Sequence, residues 1–150
     1  MIITEDYVSF EIAKLLKEKG FELPSLVPEE WVCTMYDENG KVNWGCYSDD
    51  WYCRITLQMA MKWLRKKHNI LLVVDYEYEC DTTPYYFKIY LLGENGKPER
   101  VAIKGVSYDK NDNATEHIVG YCDCERSKDD YSNEEQAYEA GIRYCLENLI

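Results

Sequence analysis

Apolar positions along the chain recur at two periods, and the change from one to the other lays out the elements. Val8, Ile12, Leu15 and Leu16 recur at i, i+4, i+7 and i+8, an amphipathic helical stripe, with lysines in its last turn and Gly20 at the stop position. A proline-flanked connector, Leu23 to Pro28, leads to Trp31–Tyr36 and then, across Asp37-Glu38-Asn39-Gly40, to Lys41–Tyr47. Asn-Gly between two aromatic, β-branched runs predicts a hairpin. Thr56 is a suitable N-cap for a second helix, whose Leu57, Ala60, Met61 and Leu64 form one face and which should end near His68-Asn69. Ile70–Val74 is a continuous apolar run of strand length, and Tyr76, Tyr78 and Cys80 then alternate with acids. After Pro84, Tyr85–Leu92 and Arg100–Lys104 predict two strands joined around Gly93–Lys97 as a second hairpin. Residues 107–131 have few apolar anchors beyond Ile118, Val119 and Tyr121, and predict a long, variable acidic loop holding at most one short strand. Ser132-Asn133-Glu134-Glu135 resembles a capping box, and Tyr138, Ile142, Cys145, Leu146 and Leu149 form a helical stripe to the last residues.

The order is therefore α-β-β-α-β-β-β-α, an α+β class: a single domain over residues 1–150 with antiparallel hairpins in one sheet, packed mainly on one face by three helices, the last of them central. The chain's 150 residues suit one domain, and its 46% hydrophobic and 30% charged content is that of a folding chain. Ala13–Lys19 echoes Met61–Lys67 at an offset of 48 residues, a trace that duplication of a helix-plus-hairpin unit would leave and that amphipathic helices also share without common descent.

Charge changes the functional picture more than the fold. The net charge is −11, distributed as −6 over residues 1–60, +2 over 61–108 and −7 over 109–150. An acidic surface repels phosphate backbones, which disfavours nucleic-acid binding. The exception is Lys62, Arg65, Lys66, Lys67 and His68, which would form a basic helix end; these cations equally complement the negative end of a helix dipole. No apolar run approaches the roughly 20 residues of a membrane span, and no secretory signal is evident, so a soluble cytoplasmic protein is expected. Seven cysteines, an odd number, then read as reduced thiols rather than a disulfide framework, and the Asn113-Ala114-Thr115 sequon carries no meaning without secretion.

Candidate chemistry is sparse. His117, Cys122 and Cys124 gather three soft ligands within eight residues, but Cys-x-Cys lacks the two-residue spacing of a common zinc knuckle and no local residue supplies a fourth ligand. Asp109–Thr115 offers oxygens at alternating positions, yet Ala114 stands where a calcium loop needs glycine and Gly120 where it needs a bidentate glutamate. Only His68 and His117 could serve a nucleophile as base, and neither falls in a catalytic motif. No catalytic residue, resident metal or cofactor is expected, and a non-enzymatic role follows. The remaining feature is the aromatic excess, 14 tyrosines and 4 tryptophans. Trp44, Tyr47, Trp51 and Tyr52 cluster, and Tyr86 and Tyr90 lie in one predicted strand; large rigid side chains with polar tips suit protein-binding surfaces, and equally a small core.

The stretches Tyr7–Phe21, Thr56–Arg65 and Tyr144–Ile150 carry a resemblance to a family of small uncharacterised proteins of gut Bacteroides-type bacteria and their phages and prophages. It spans the chain, with the hairpins and residues 107–131 as its variable parts. It implies a setting in the bacterial cytoplasm on a mobile element, and no activity or catalytic residue. Members that are shorter in the last loop would make His117, Cys122 and Cys124 features of this copy. The function expected is that of a phage- or prophage-encoded accessory protein binding another protein through an acidic, aromatic-rich surface. Self-association through exposed strand aromatics fits equally well. The competing class is nucleic-acid binding through Lys62–His68.

Overall fold

The computed structural model describes residues 5–22, 34–44, 48–79 and 81–150. Its elements are α1 (Phe10–Glu18), β1 (Thr34–Tyr36), β2 (Val42–Trp44), β3 (Tyr52–Cys53), α2 (Leu57–His68), β4 (Ile70–Tyr76), β5 (Tyr85–Leu91), β6 (Val101–Tyr108), β7 (Ala114–Cys122), β8 (Glu125–Arg126) and α3 (Glu134–Asn148). The α+β class with three helices is as expected. The strands, however, form three antiparallel sheets in the orders β2-β1-β3, β4-β5-β8 and β6-β7 rather than one.

Each helix begins on the side chain that its sequence provides. Ser9 Oγ accepts from the Ile12 N–H at 3.3 Å and Thr56 Oγ1 from the Met59 N–H at 3.2 Å. On α3 the cap is Asn133, whose Oδ1 accepts from the Gln136 N–H at 2.8 Å, one residue later than a box opening on Ser132. Helix α1 stops through Gly20 at φ +86°, where the Phe21 N–H returns to the Leu16 carbonyl at 2.9 Å. Helix α2 stops through Asn69 at φ 56°, whose N–H reaches the Leu64 carbonyl.

Residues Ile12, Leu16, Ala60, Leu64, Ile70, Leu72, Phe87, Ile89, Ile142, Cys145 and Leu146 share one buried cluster. Helix α3 lies against β4 and β5 and also touches α1 and α2, so the last helix is central as its stripe suggested. The approach is close because Gly141 faces the sheet: a Cβ there would stand 2.6 Å from Leu72 Cδ1 and 3.2 Å from Phe87 Cγ. The Asn39-Gly40 hairpin forms as read over residues 34–44, the outer ends of the two runs at 31–33 and 45–47 lying outside the described residues; Met35 stands opposite Asn43 and the Asp37 carboxylate accepts the Asn39 and Lys41 N–H groups at 2.9 and 3.0 Å.

Two expectations fail on the later strands. The turn at Gly93–Lys97 is present, but beyond the single bridge Leu92 to Pro98 and the Glu99 N–H on the Leu91 carbonyl, the chain leaves β5. It pairs instead in a second excursion: Val101 to Tyr108 runs antiparallel to Ala114–Cys122, and only then does β8 return to β5 through Lys88–Arg126 and Ile89–Glu125. Residues 107–131 are thus mostly strand, not a long loop. Asp109 closes this hairpin by accepting the Asn111 and Asn113 N–H groups at 2.7 and 3.0 Å, which accounts for the oxygen-rich spacing that resembled a calcium loop.

Candidate interaction surfaces

The β6–β7 hairpin is an arm. Both of its strands are exposed over most of their length, and the large side chains Val106, Tyr108, Ile118 and Tyr121 are 54%, 69%, 55% and 60% exposed. The register places Ala102, Lys104, Val106 and Tyr108 on the same face as Tyr121, Ile118, Glu116 and Ala114; Val119 is the extra residue of a bulge between Ile103 and Lys104. A two-stranded sheet with apolar side chains in water is at best marginally stable alone. No candidate in the sequence reading fell on this face, because its apolar residues are spread over both sides of a twisted pair and Gly105 and Gly120 interrupt the alternation.

The aromatic positions singled out from sequence divide between the other two sheets. Trp44, at the end of β2, is 73% exposed. Trp51 and Tyr52 are half-buried, and Tyr52 meets Phe10 edge-on at 5.5 Å, so it supports α1 rather than offering a free surface. Tyr47 lies outside the described residues. Tyr86 and Tyr90 stand on the face of β5 opposite the buried Phe87 and Ile89, both half-buried. There Tyr86 lies under the Arg126 guanidinium, 3.8 Å from its ring, and its hydroxyl donates to Asp75 at 3.4 Å. Lys88 donates to Asp75 at 3.0 Å, and Arg126 to Glu77 and Asp130 at 2.9 and 3.3 Å. The Tyr76 N–H and the Lys88 ammonium hold the Asp75 carboxyl below the usual carboxylate range. Burial beside Cys124 pushes the Tyr90 hydroxyl up. The face is a knitted polar lattice, and the five described aromatics, Trp44, Trp51, Tyr52, Tyr86 and Tyr90, do not make one patch.

An acidic, aromatic cleft that the sequence reading did not single out lies where α2 and α3 begin. Glu5, Asp6, Glu134 and Glu135 line it with Tyr85 and Tyr138 around about 480 Å³. The Asp6 carboxylate beside Glu135 raises the Glu135 pKa, as two like charges sharing one place must. The signal in the sequence was too distant to see: residues 5–6 and 134–135 meet only because the chain before α1 pairs with residues 55–57, through Val8 N–H to Ile55 O and Leu57 N–H to Asp6 O, both at 2.9 Å.

The basic residues Lys62, Arg65, Lys66 and Lys67 are exposed on the second half of α2. His68 is not part of that surface: its ring packs edge-on against Trp63 at 4.6 Å, and its Nε2 is buried without a hydrogen-bond partner. Burial, with Lys67 nearby, lowers its pKa.

The soft ligands do not converge. His117 pairs opposite Gly105 and Cys122 opposite Val101, four register positions or roughly 13 Å apart along the arm. The Cys122 thiol donates to the Cys124 carbonyl at 2.9 Å. Among the described residues no group of His, Cys, Asp and Glu is placed to hold a metal ion. Burial pushes the Cys145 thiol up to about 12, making it an inert core side chain. No described helix is long and apolar enough to cross a membrane. Comparison with protein-family models, curated proteins and solved structures finds no match.

Proposed function

We propose that this chain is a non-enzymatic accessory protein, encoded by a phage or prophage and acting in the bacterial cytoplasm, that works by binding another protein chain. The observation that supports this reading is the β6–β7 arm, which presents Val106, Tyr108, Ile118 and Tyr121 to solvent away from the core cluster of the described residues. Apolar side chains grouped on an uncovered sheet face gain the free energy of leaving water only when something else covers them. The centre of the binding surface is therefore the arm, not the six aromatics selected from sequence. The acidic cleft at Glu5, Asp6, Glu134 and Glu135 flavours the rest of the molecule toward basic or neutral partners.

The test is capture on the tagged protein in host lysate, with and without nuclease treatment and with and without an untagged copy of the chain. A stoichiometric protein retained by the wild type and lost from an Ile118→Lys variant is the expected result. Recovery of nucleic acid, or equal recovery of the same protein on both baits, would overturn the reading.

The second reading, nucleic-acid binding, draws on the exposure of Lys62, Arg65, Lys66 and Lys67. Three of these, Arg65, Lys66 and Lys67, occupy the last turn of α2, where they offset the helix dipole within a chain of net charge −11. A Lys66→Glu, Lys67→Glu variant that lost steeply salt-dependent binding to DNA or RNA would support that reading.

A further inference from the structure

The two faces of the arm differ. On one, branched side chains fold back over glycines of the facing strand: a Cβ on Gly105 would stand 2.6 Å from Val119 Cγ1, and one on Gly120 would stand 3.9 Å from Ile103 Cδ1. Both side chains nevertheless remain exposed, Val119 at 59% and Ile103 at 44%, so this face is also open to water. On the other face, Tyr121, Ile118, Val106 and Tyr108 have no glycine opposite them and stand out from the sheet. In the middle of that face Lys104 Nζ and Glu116 Oε1 form an ion pair at 3.2 Å, both side chains well exposed.

We infer that this second face binds the same face of another copy of the chain, arm upon arm about a two-fold axis. The inference rests on the binding role proposed for the arm and names its partner. The charge pattern on the face is self-complementary. A two-fold operation that lays one arm on another brings Lys104 to Glu116 of the partner subunit and Glu116 to Lys104 of the partner subunit, so two ion pairs become a four-charge ring. A face holding one cation and one anion has no net charge to attract a basic partner.

The distribution of charge over the molecule points the same way. Residues 101–122 contain Lys104, Lys110, Asp109, Asp112 and Glu116, a net −1, while the rest of the chain carries −10. The arm thus carries less net charge than the chain's average, which lowers the repulsion between two copies that meet there. Size is sufficient as well. The face is roughly 25 Å long, and burying it on both copies removes on the order of 1,000 Å² from water, the threshold for a specific interface. Packing at the usual sheet-to-sheet spacing of about 10 Å would give each marginal two-stranded sheet the second layer it lacks.

Sedimentation equilibrium of the full chain between about 1 and 500 µM tests this, since an interface of this size falls in the weak, micromolar range. The wild type should approach twice 17.7 kDa with rising concentration. Lys104→Glu and Glu116→Lys should each weaken association about tenfold or more, because each places like charges against each other across the axis. An equimolar mixture of those two variants should recover the wild-type association, because every crossing pair is again opposite in sign. Ile118→Lys should remain monomeric alone and in mixtures. Circular dichroism checks that each variant is folded. A wild type that stays monomeric throughout overturns the second copy as partner, and loss of a captured foreign protein on Ile118→Lys would then show that the arm's binding role survives it. A dimer unaffected by all three substitutions overturns both.

Discussion

At the scale of single residues, the least tolerant position is Gly141. Alanine there would place a methyl group inside Leu72 and against Phe87, so the helix must lift or the leucine must leave its rotamer. Gly141→Ala is expected to cost about 1–3 kcal/mol, measured by urea unfolding, even though alanine is the better helix former. His68 sets a pH dependence. Its folded pKa is lowered by burial, so the unfolded chain takes up a proton near its ordinary value of 6.5 while the folded chain resists. The His68 contribution to stability should therefore be constant above about pH 7 and fall as pH drops through 6.5 toward the folded value. In thermal unfolding at pH 7.5 and 5.5, His68→Gln should lose this component of the difference. Neither effect could be read from the sequence. Gly141 sits in an ordinary stripe and His68 looked like one more cation, and only the distance to Leu72 and the contact with Trp63 give them their roles.

Among the elements, legibility follows burial. The three helices and the strands Ile70–Tyr76 and Tyr85–Leu91 were read correctly because each buries one face, and burial on one face writes a period into the sequence. The first hairpin was read from Asn39-Gly40, a turn whose chemistry is local. The arm was missed because neither of its faces is buried by the core, so no period selects it, and because the bulge at Val119 breaks what alternation remains. Its separation from the core predicts that it is dispensable for folding. Val101 and Cys122 are paired at its base, so residues 102–121 can be replaced by a short Asn-Gly turn. That variant is expected to unfold cooperatively within a few degrees of the wild-type Tm at low micromolar concentration, where association contributes little. Calorimetry that showed loss of the cooperative transition would place the arm within the folding unit instead.

For the whole molecule, composition excluded more than it identified. A net charge of −11 argued against phosphate backbones, but it could not say how the charges of residues 101–122 are arranged on the surface. That depends on β6 and β7 being paired, which brings the lysines at 104 and 110 among the carboxylates at 109, 112 and 116. The aromatic excess likewise divides in space: Phe10, Tyr36 and Tyr52 build the contact between α1 and the first sheet, Tyr86 and Tyr90 join a polar lattice, and Tyr108 and Tyr121 stand on the arm. Salt dependence separates the partner classes at this scale. Salt screens both the repulsion between two acidic copies and the exposed Lys104–Glu116 ring, so self-association should change little between 50 and 500 mM salt, whereas binding to a basic protein or to nucleic acid would weaken steeply.

The central claim is that the β6–β7 arm is a contact surface standing apart from the core, and amide hydrogen exchange of the full chain at about 1 µM and about 500 µM tests it most directly. Amides of residues 101–122 are expected to exchange much faster than those of β4 and β5 in the dilute sample and to gain protection in the concentrated one, with the core unchanged. Arm amides as protected as β4 and β5 at 1 µM, or exchange that is the same at both concentrations, would contradict it.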